Sequence, residues 1–130
     1  MQFGIAGTPA QNKPWQSATI ADDPVLTTNA AGTLSFAMAG AKSRTTEVFF
    51  NLGDNPLLNK ADSNPPNGPG FAPFGKITSS AGLAVARKIV NPTPGNEGGI
   101  DSDQYARKGN KGLQKAYPNT TMIVAATLLS

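Results

Sequence analysis

Apolar positions along this chain come in short bursts separated by proline, glycine and asparagine. From Thr33 to Ala39 they alternate, with Leu34, Phe36 and Met38 on one face, which predicts a half-buried strand. Gly40 to Arg44 reads as a turn, and Val48-Phe49-Phe50 begins a more fully buried strand closed by Gly53-Asp54-Asn55-Pro56. Upstream, Phe3-Gly4-Ile5-Ala6-Gly7 is a short strand ending in glycine, and a polar loop follows to about Asp23. Asp22-Asp23-Pro24 then breaks the chain, because a residue before proline is pushed away from helical geometry. Residues 59–70 are dominated by proline, glycine and asparagine and predict a surface loop, after which Phe71 to Lys76 returns to strand. Ser79-Ser80 caps a predicted helix that carries Leu83, Ala86, Ile89 and Val90 at three- and four-residue spacing. Asn91-Pro92 and Pro94-Gly95 end it. Lys111 to Pro118 reads as one helical turn, and Met122 to Leu129 as a final strand buried on both sides. Five strands and one main α-helix predict a single, mainly β domain over residues 1–130, without internal repeats.

Composition narrows the chemistry. The chain has no cysteine and no histidine, which excludes disulfides, thiolate or imidazole metal ligation, and Ser-His-Asp or Cys-His catalysis; neither a metal nor a cofactor is expected. The net charge of +3 is mild, and although Arg107, Lys108, Lys111 and Lys115 cluster, no aromatic residues interleave to stack bases. A solvated face is expected there, with no nucleic-acid partner. No apolar run approaches the ~18 residues of a membrane span. Met1-Gln2-Phe3-Gly4-Ile5 lacks the basic and apolar regions of a signal peptide, so a cytoplasmic location is the default expectation.

Leu34-Ser35-Phe36-Ala37-Met38-Ala39-Gly40, Thr45-Thr46-Glu47-Val48-Phe49-Phe50-Asn51 and Gly70-Phe71-Ala72-Pro73-Phe74-Gly75-Lys76 together resemble the core of a cyclophilin. Cyclophilins are peptidyl-prolyl cis-trans isomerases. Gln2-Phe3-Gly4-Ile5 is similar to the strand that carries the family's active-site glutamine. Asp22-Asp23-Pro24 and Gly32-Thr33-Leu34-Ser35 resemble the approach to the next strand, and Lys108-Gly109-Asn110-Lys111-Gly112-Leu113 with Tyr117-Pro118 resembles the closing loop. The resemblance covers nearly all of the chain and implies a cyclophilin-like β-barrel. The family has two strands, a helix and a third strand before the point matching Gln2. An N-terminally truncated barrel that can stay open is therefore expected, with its sheet edges a route to self-association.

The resemblance also implies a site. Phe49 would floor a proline pocket, Leu58 would supply a wall, and Phe71 stands where the family commonly has a histidine beside the same pocket. Ala37, Met38 and Ala39 would line the groove for residues preceding proline. Gln2 would hold the substrate backbone, Glu47 occupies a position where glutamine is usual, and Leu57 takes the place of a pocket-side tryptophan. Trp15 lies in a loop away from that place. The family's catalytic arginine belongs to the strand preceding Gln2, and Arg44 sits in a turn motif and does not replace it by position. The implied activity is isomerisation of Xaa-Pro bonds in proline-containing peptides or unfolded chains. The alternatives are a non-catalytic proline-peptide binding module and an inactive truncated remnant.

Overall fold

The computed structural model describes residues 1–60, 68–93 and 99–129. Its centre is a four-stranded antiparallel sheet in the order β1-β3-β2-β4, built from β1 (Gln2–Phe3), β2 (Thr33–Phe36), β3 (Val48–Phe50) and β4 (Pro73–Lys76). The sheet is open, with β1 and β4 as its edges. Among the described residues three helices accompany it: α1 (Pro9–Asn12), α2 (Ser80–Arg87) and α3 (Ser102–Ala116), with a 3-10 turn at Pro56–Asn59. Among the described residues these helices hold more of the chain than the strands do, which corrects the expectation of a mainly β domain with one main helix.

The register divides the sheet into two faces. Ser35 pairs with Phe49, and Phe49 with Gln2, so these three share one face. Phe36 pairs with Val48 and Val48 with Phe3, which puts those on the other face, where Phe3 stacks on Phe50 and Phe36 on Phe74. Leu34, Phe36 and all of β3 are only half-buried, whereas Ser35 is fully buried. Alternation correctly groups Leu34 with Phe36, but the more deeply buried face of β2 is the polar one. Asn29, Ser35 and Asn51 are the largest side chains with essentially no exposure. They remain buried because they hydrogen-bond one another, which offsets the cost of leaving water.

Local chemistry sets the element ends. β1 is shorter than the predicted run Phe3–Gly7 because Gly4 turns to φ +123, where any side chain would meet the Thr46 backbone. Ser79 caps α2 by accepting from Gly82 N at 3.0 Å. Asp101 caps α3 in the same way, accepting from Gln104 N at 2.8 Å. In place of the single helical turn expected at Lys111–Pro118, α3 spans Ser102–Ala116. The 15-residue α3 was hidden by Gly109, whose φ of +63 kinks the helix where its backbone meets Gly7 and Pro9. Asn110 N donates to Gly7 O at 2.9 Å across this contact, and Asn12 Nδ2 donates to Ala106 O at 3.4 Å, docking α3 on α1.

Met122–Leu129 is not a strand. Val124, Leu128 and Leu129 are more than nine-tenths exposed. A run of apolar residues becomes a strand only where a neighbour takes its N–H and C=O groups, and the described sheet does not pair with this one. Residues 61–67, the middle of the expected 59–70 loop, and the Pro94-Gly95 stop lie outside the described residues. No helix among the described residues is long and apolar enough to cross a membrane.

Candidate functional site

The polar-faced side of the sheet gathers several of the residues singled out by sequence. Phe49 projects from β3, and its ring meets Phe71 edge to face, with centroids 5.4 Å apart and planes at 82°. This T-shaped contact sets the positive ring edge against the negative face. Phe71 is buried and Phe49 half-buried, so the pair presents one partly open aromatic surface. Leu58, in the 3-10 turn, is tied to Phe71 through Phe71 N donating to Leu58 O at 2.8 Å. Its side chain is half-buried, whereas the neighbouring Leu57 is 70% exposed on the outside of the turn.

Beside the aromatic pair lies a polar one. Gln2, directly across the ladder from Phe49, donates from Nε2 to Glu47 Oε2 at 2.7 Å. The acceptor is a carboxylate oxygen, so the bond is short and charge-assisted. It fixes the Gln2 amide with its NH₂ group toward Glu47, leaving the Gln2 carbonyl oxygen as an acceptor for a peptide N–H. Glu47 is also anchored through its backbone, where Ala37 N donates to Glu47 O at 2.9 Å. Ala37 thus borders the polar pair. Met38 is half-buried one residue further on, and Ala39 turns away, its N–H donating to Ser43 Oγ at 2.9 Å in the following turn.

Arg44 does not belong to this surface. It is 2% exposed, its guanidinium carbon lies 5.5 Å from the Phe36 ring centroid, and Phe36 is on the opposite face of the sheet from Phe49. Both terminal nitrogens donate to Asp23 Oδ2 at 3.0 Å, and Nε approaches Asp22 Oδ1 at 3.6 Å. The Asp22-Asp23 pair, read from sequence as part of a chain break, is the counter-charge of a buried arginine.

Two features went unread in the sequence. Trp15 helps to line an open cavity of about 520 Å³ with Gly4, Ala6, Gln11, Asn12, Pro14 and Thr46. Thr46, which lines it, immediately precedes Glu47 in the chain. The second feature is the asparagine cluster behind the aromatic pair. Its one sequence signal is the recurrence of Asn51, Asn55 and Asn59 every four residues, a spacing equally at home in a polar loop.

The arrangement is suited to recognition and carries no built nucleophile or acid–base pair. A partly open aromatic surface stands across the ladder from an amide acceptor, a combination that can grip a small cyclic side chain and the backbone beside it. Neither a protein-family model nor a curated protein matches this chain.

Proposed function

We propose that this chain is a cyclophilin-type peptidyl-prolyl cis-trans isomerase domain, its four strands a segment of that family's barrel. Phe49, Phe71 and Leu58 take the prolyl ring, and Gln2, held by Glu47, takes the backbone of an Xaa-Pro peptide. The observation that carries the reading is the edge-to-face contact of Phe49 with Phe71, next to Leu58 and across the ladder from Gln2. Phe49 thus meets Phe71 and pairs with Gln2, and Phe71 is bonded to the Leu58 backbone, contacts that support assigning these positions to one pocket.

The chemistry fits a site without histidine or cysteine. Rotation about a prolyl amide is opposed by conjugation of the nitrogen lone pair with the carbonyl, worth ~18–20 kcal/mol. Gripping the ring on apolar surface while an amide holds the flanking backbone restrains one side of the bond and lets the other turn. Binding of this kind accelerates the twist only where a donor meets charge that develops in the transition state.

That requirement gives a second reading specific support. The burial of Arg44 on the far face removes it as a donor to the prolyl nitrogen, so the 130-residue chain fits a proline-peptide binding module as well as an isomerase. Exchange NMR on an Xaa-Pro peptide separates the two. Faster cis-trans exchange that is abolished by Phe49→Ala supports the isomerase, while binding without faster exchange supports the module. Exchange and binding both unaffected by Phe49→Ala would overturn the site.

A further inference from the structure

Phe71, one half of the ring contact, is bonded through its carbonyl to the buried Asn29. Asn29 has no exposed surface, and its amide uses every hydrogen-bonding position it has. Nδ2 donates to Phe71 O at 2.8 Å and to Asn59 Oδ1 at 2.9 Å. Oδ1 accepts from Ser35 Oγ at 2.9 Å and from Asn51 Nδ2 at 3.1 Å. The orientation is unambiguous, because the Phe71 carbonyl can only accept and must therefore face the Asn29 NH₂. Asn29 N donates to Asn59 Oδ1 as well, at 2.8 Å, which fixes the Asn59 amide by the same reasoning.

Each partner stands beside a wall of the aromatic surface. Phe71 is bonded directly. Asn59 follows Leu58 in the 3-10 turn, Ser35 lies across the ladder from Phe49, and Asn51 is two residues beyond Phe49. The network continues outward through Asn51 Nδ2 to Thr33 Oγ1 at 2.9 Å and Asn55 Nδ2 to Asn51 Oδ1 at 2.7 Å. Four segments, β2, the end of β3, the 3-10 turn and the stretch at Phe71, are thus referred to one amide.

We propose that Asn29 is a positioning residue of the prolyl site, setting the Phe71 segment and the Leu58 turn against the Phe49 strand through one fully satisfied amide. The claim rests on the prolyl reading for its consequence, but the ring geometry it sets is measurable without any ligand. A buried amide suits the task better than apolar packing because its bonds are directional, and a shifted segment leaves a donor or acceptor unpaired.

The test uses the full chain and a pair of variants at the network's outer edge. Asn59→Ala removes the oxygen that accepts both Asn29 bonds, whereas Asn59→Asp keeps it. NMR reads the cross-ring NOE between Phe49 and Phe71, and titration with an Xaa-Pro peptide reads affinity. Asn29→Ala and Leu113→Ala are measured under conditions where each is folded, the latter as a core lesion in α3 away from the network. The expected result is loss of the ring NOE and a fall in peptide affinity on the order of tenfold, the scale of one lost buried hydrogen bond, in Asn59→Ala. Asn59→Asp and Leu113→Ala keep both. Should Asn29→Ala fail to fold, the Asn59 pair decides alone. Unchanged ring contact and affinity in Asn59→Ala, or equal losses in Asn59→Asp, would overturn the proposal. If the unsubstituted chain binds no Xaa-Pro peptide, the prolyl reading fails, and the ring NOE in the two Asn59 variants still judges the positioning claim.

Discussion

Replacing Arg44 with methionine separates what holds this fold together from what its site does. Methionine keeps a long side chain over Phe36 but removes the charge. It leaves Asp22, whose side chain is 16% exposed, without the guanidinium that neutralises it. Asp23 is 70% exposed at its side chain and is resolvated at little cost, so its half of the interaction counts for little. The loss therefore comes mainly from Asp22 and from the arginine's placement over the Phe36 ring. Stripping one partner from a buried pair costs about 3–5 kcal/mol, and with only one of the two carboxylates buried about 3 kcal/mol is expected here. At about 3–5 °C per kcal/mol for a domain of this size, the melting temperature should fall by about 10–15 °C. The double variant Arg44→Met with Asp22→Asn should recover part of that, since removing both charges leaves neither stranded. Lys42 N also donates to Asp22 Oδ2 at 2.7 Å, a bond that asparagine can keep through its own oxygen. Calorimetry gives the stability, and peptide titration below the transition gives the function. Arg44 lies across the sheet from Phe49, so affinity for an Xaa-Pro peptide should not change. A melting temperature within 3 °C of the unsubstituted chain would refute the energetic reasoning, and lost affinity in a folded variant would refute the assignment of faces.

Gly109→Ala should be strongly destabilising, by about 2 kcal/mol or more, because φ is +63 and the added carbon would meet Gly7 O; chemical denaturation measures it, with Gly40→Ala, where nothing lies nearby, as the control. Burial pushes the Tyr105 phenol above its ordinary pKa of 10.0, and its hydroxyl donates to Asn110 Oδ1 at 2.6 Å. The folded state therefore keeps a proton that the unfolded chain loses first, so stability should fall as pH rises above 10 toward the raised value, and Tyr105→Phe should flatten that part of the melting curve against pH. The exposed apolar run around Val124, Leu128 and Leu129 has strong strand propensity and no charge, so the chain should self-associate; light scattering should show a smaller assembly for Val124→Lys with Leu128→Lys.

The sheet was legible because its signals are local. Alternation around Leu34 and Phe36, the Val48-Phe49-Phe50 run and the return at Phe74 each mark a strand, and the Ser79 cap marks the start of α2. Two misreadings have a common cause in pairing between distant segments. Ser35 is buried because its hydroxyl donates to Asn29 Oδ1, an oxygen that Asn51 on β3 also binds, and the alternating pattern of β2 does not signal that shared acceptor. Met122–Leu129 looks like a core strand because its composition fits one, but a ladder needs a neighbour, and composition does not specify it. The kink in α3 is the opposite case, where two glycines in a local pattern argued against a helix that docking on Gly7 and Asn12 supports. At the candidate site, the residue types of Phe49, Phe71 and Leu58 were equally those of a core. Only the fold shows the two rings meeting on a partly open face.

The central claim is that the surface formed by Phe49, Phe71 and Leu58 receives a prolyl ring. Titrating the isotopically labelled chain with an Xaa-Pro peptide, and separately with the same peptide carrying alanine for proline, tests it most directly. The account predicts chemical-shift changes centred on Phe49, Leu58 and Phe71 and extending to Gln2 and Glu47, with intermolecular NOEs from the pyrrolidine ring to the two aromatic rings. The alanine peptide should bind about five- to thirtyfold more weakly, since about 1–2 kcal/mol of ring burial would be lost. Equal binding of both peptides, or shifts confined to other surfaces, would contradict it.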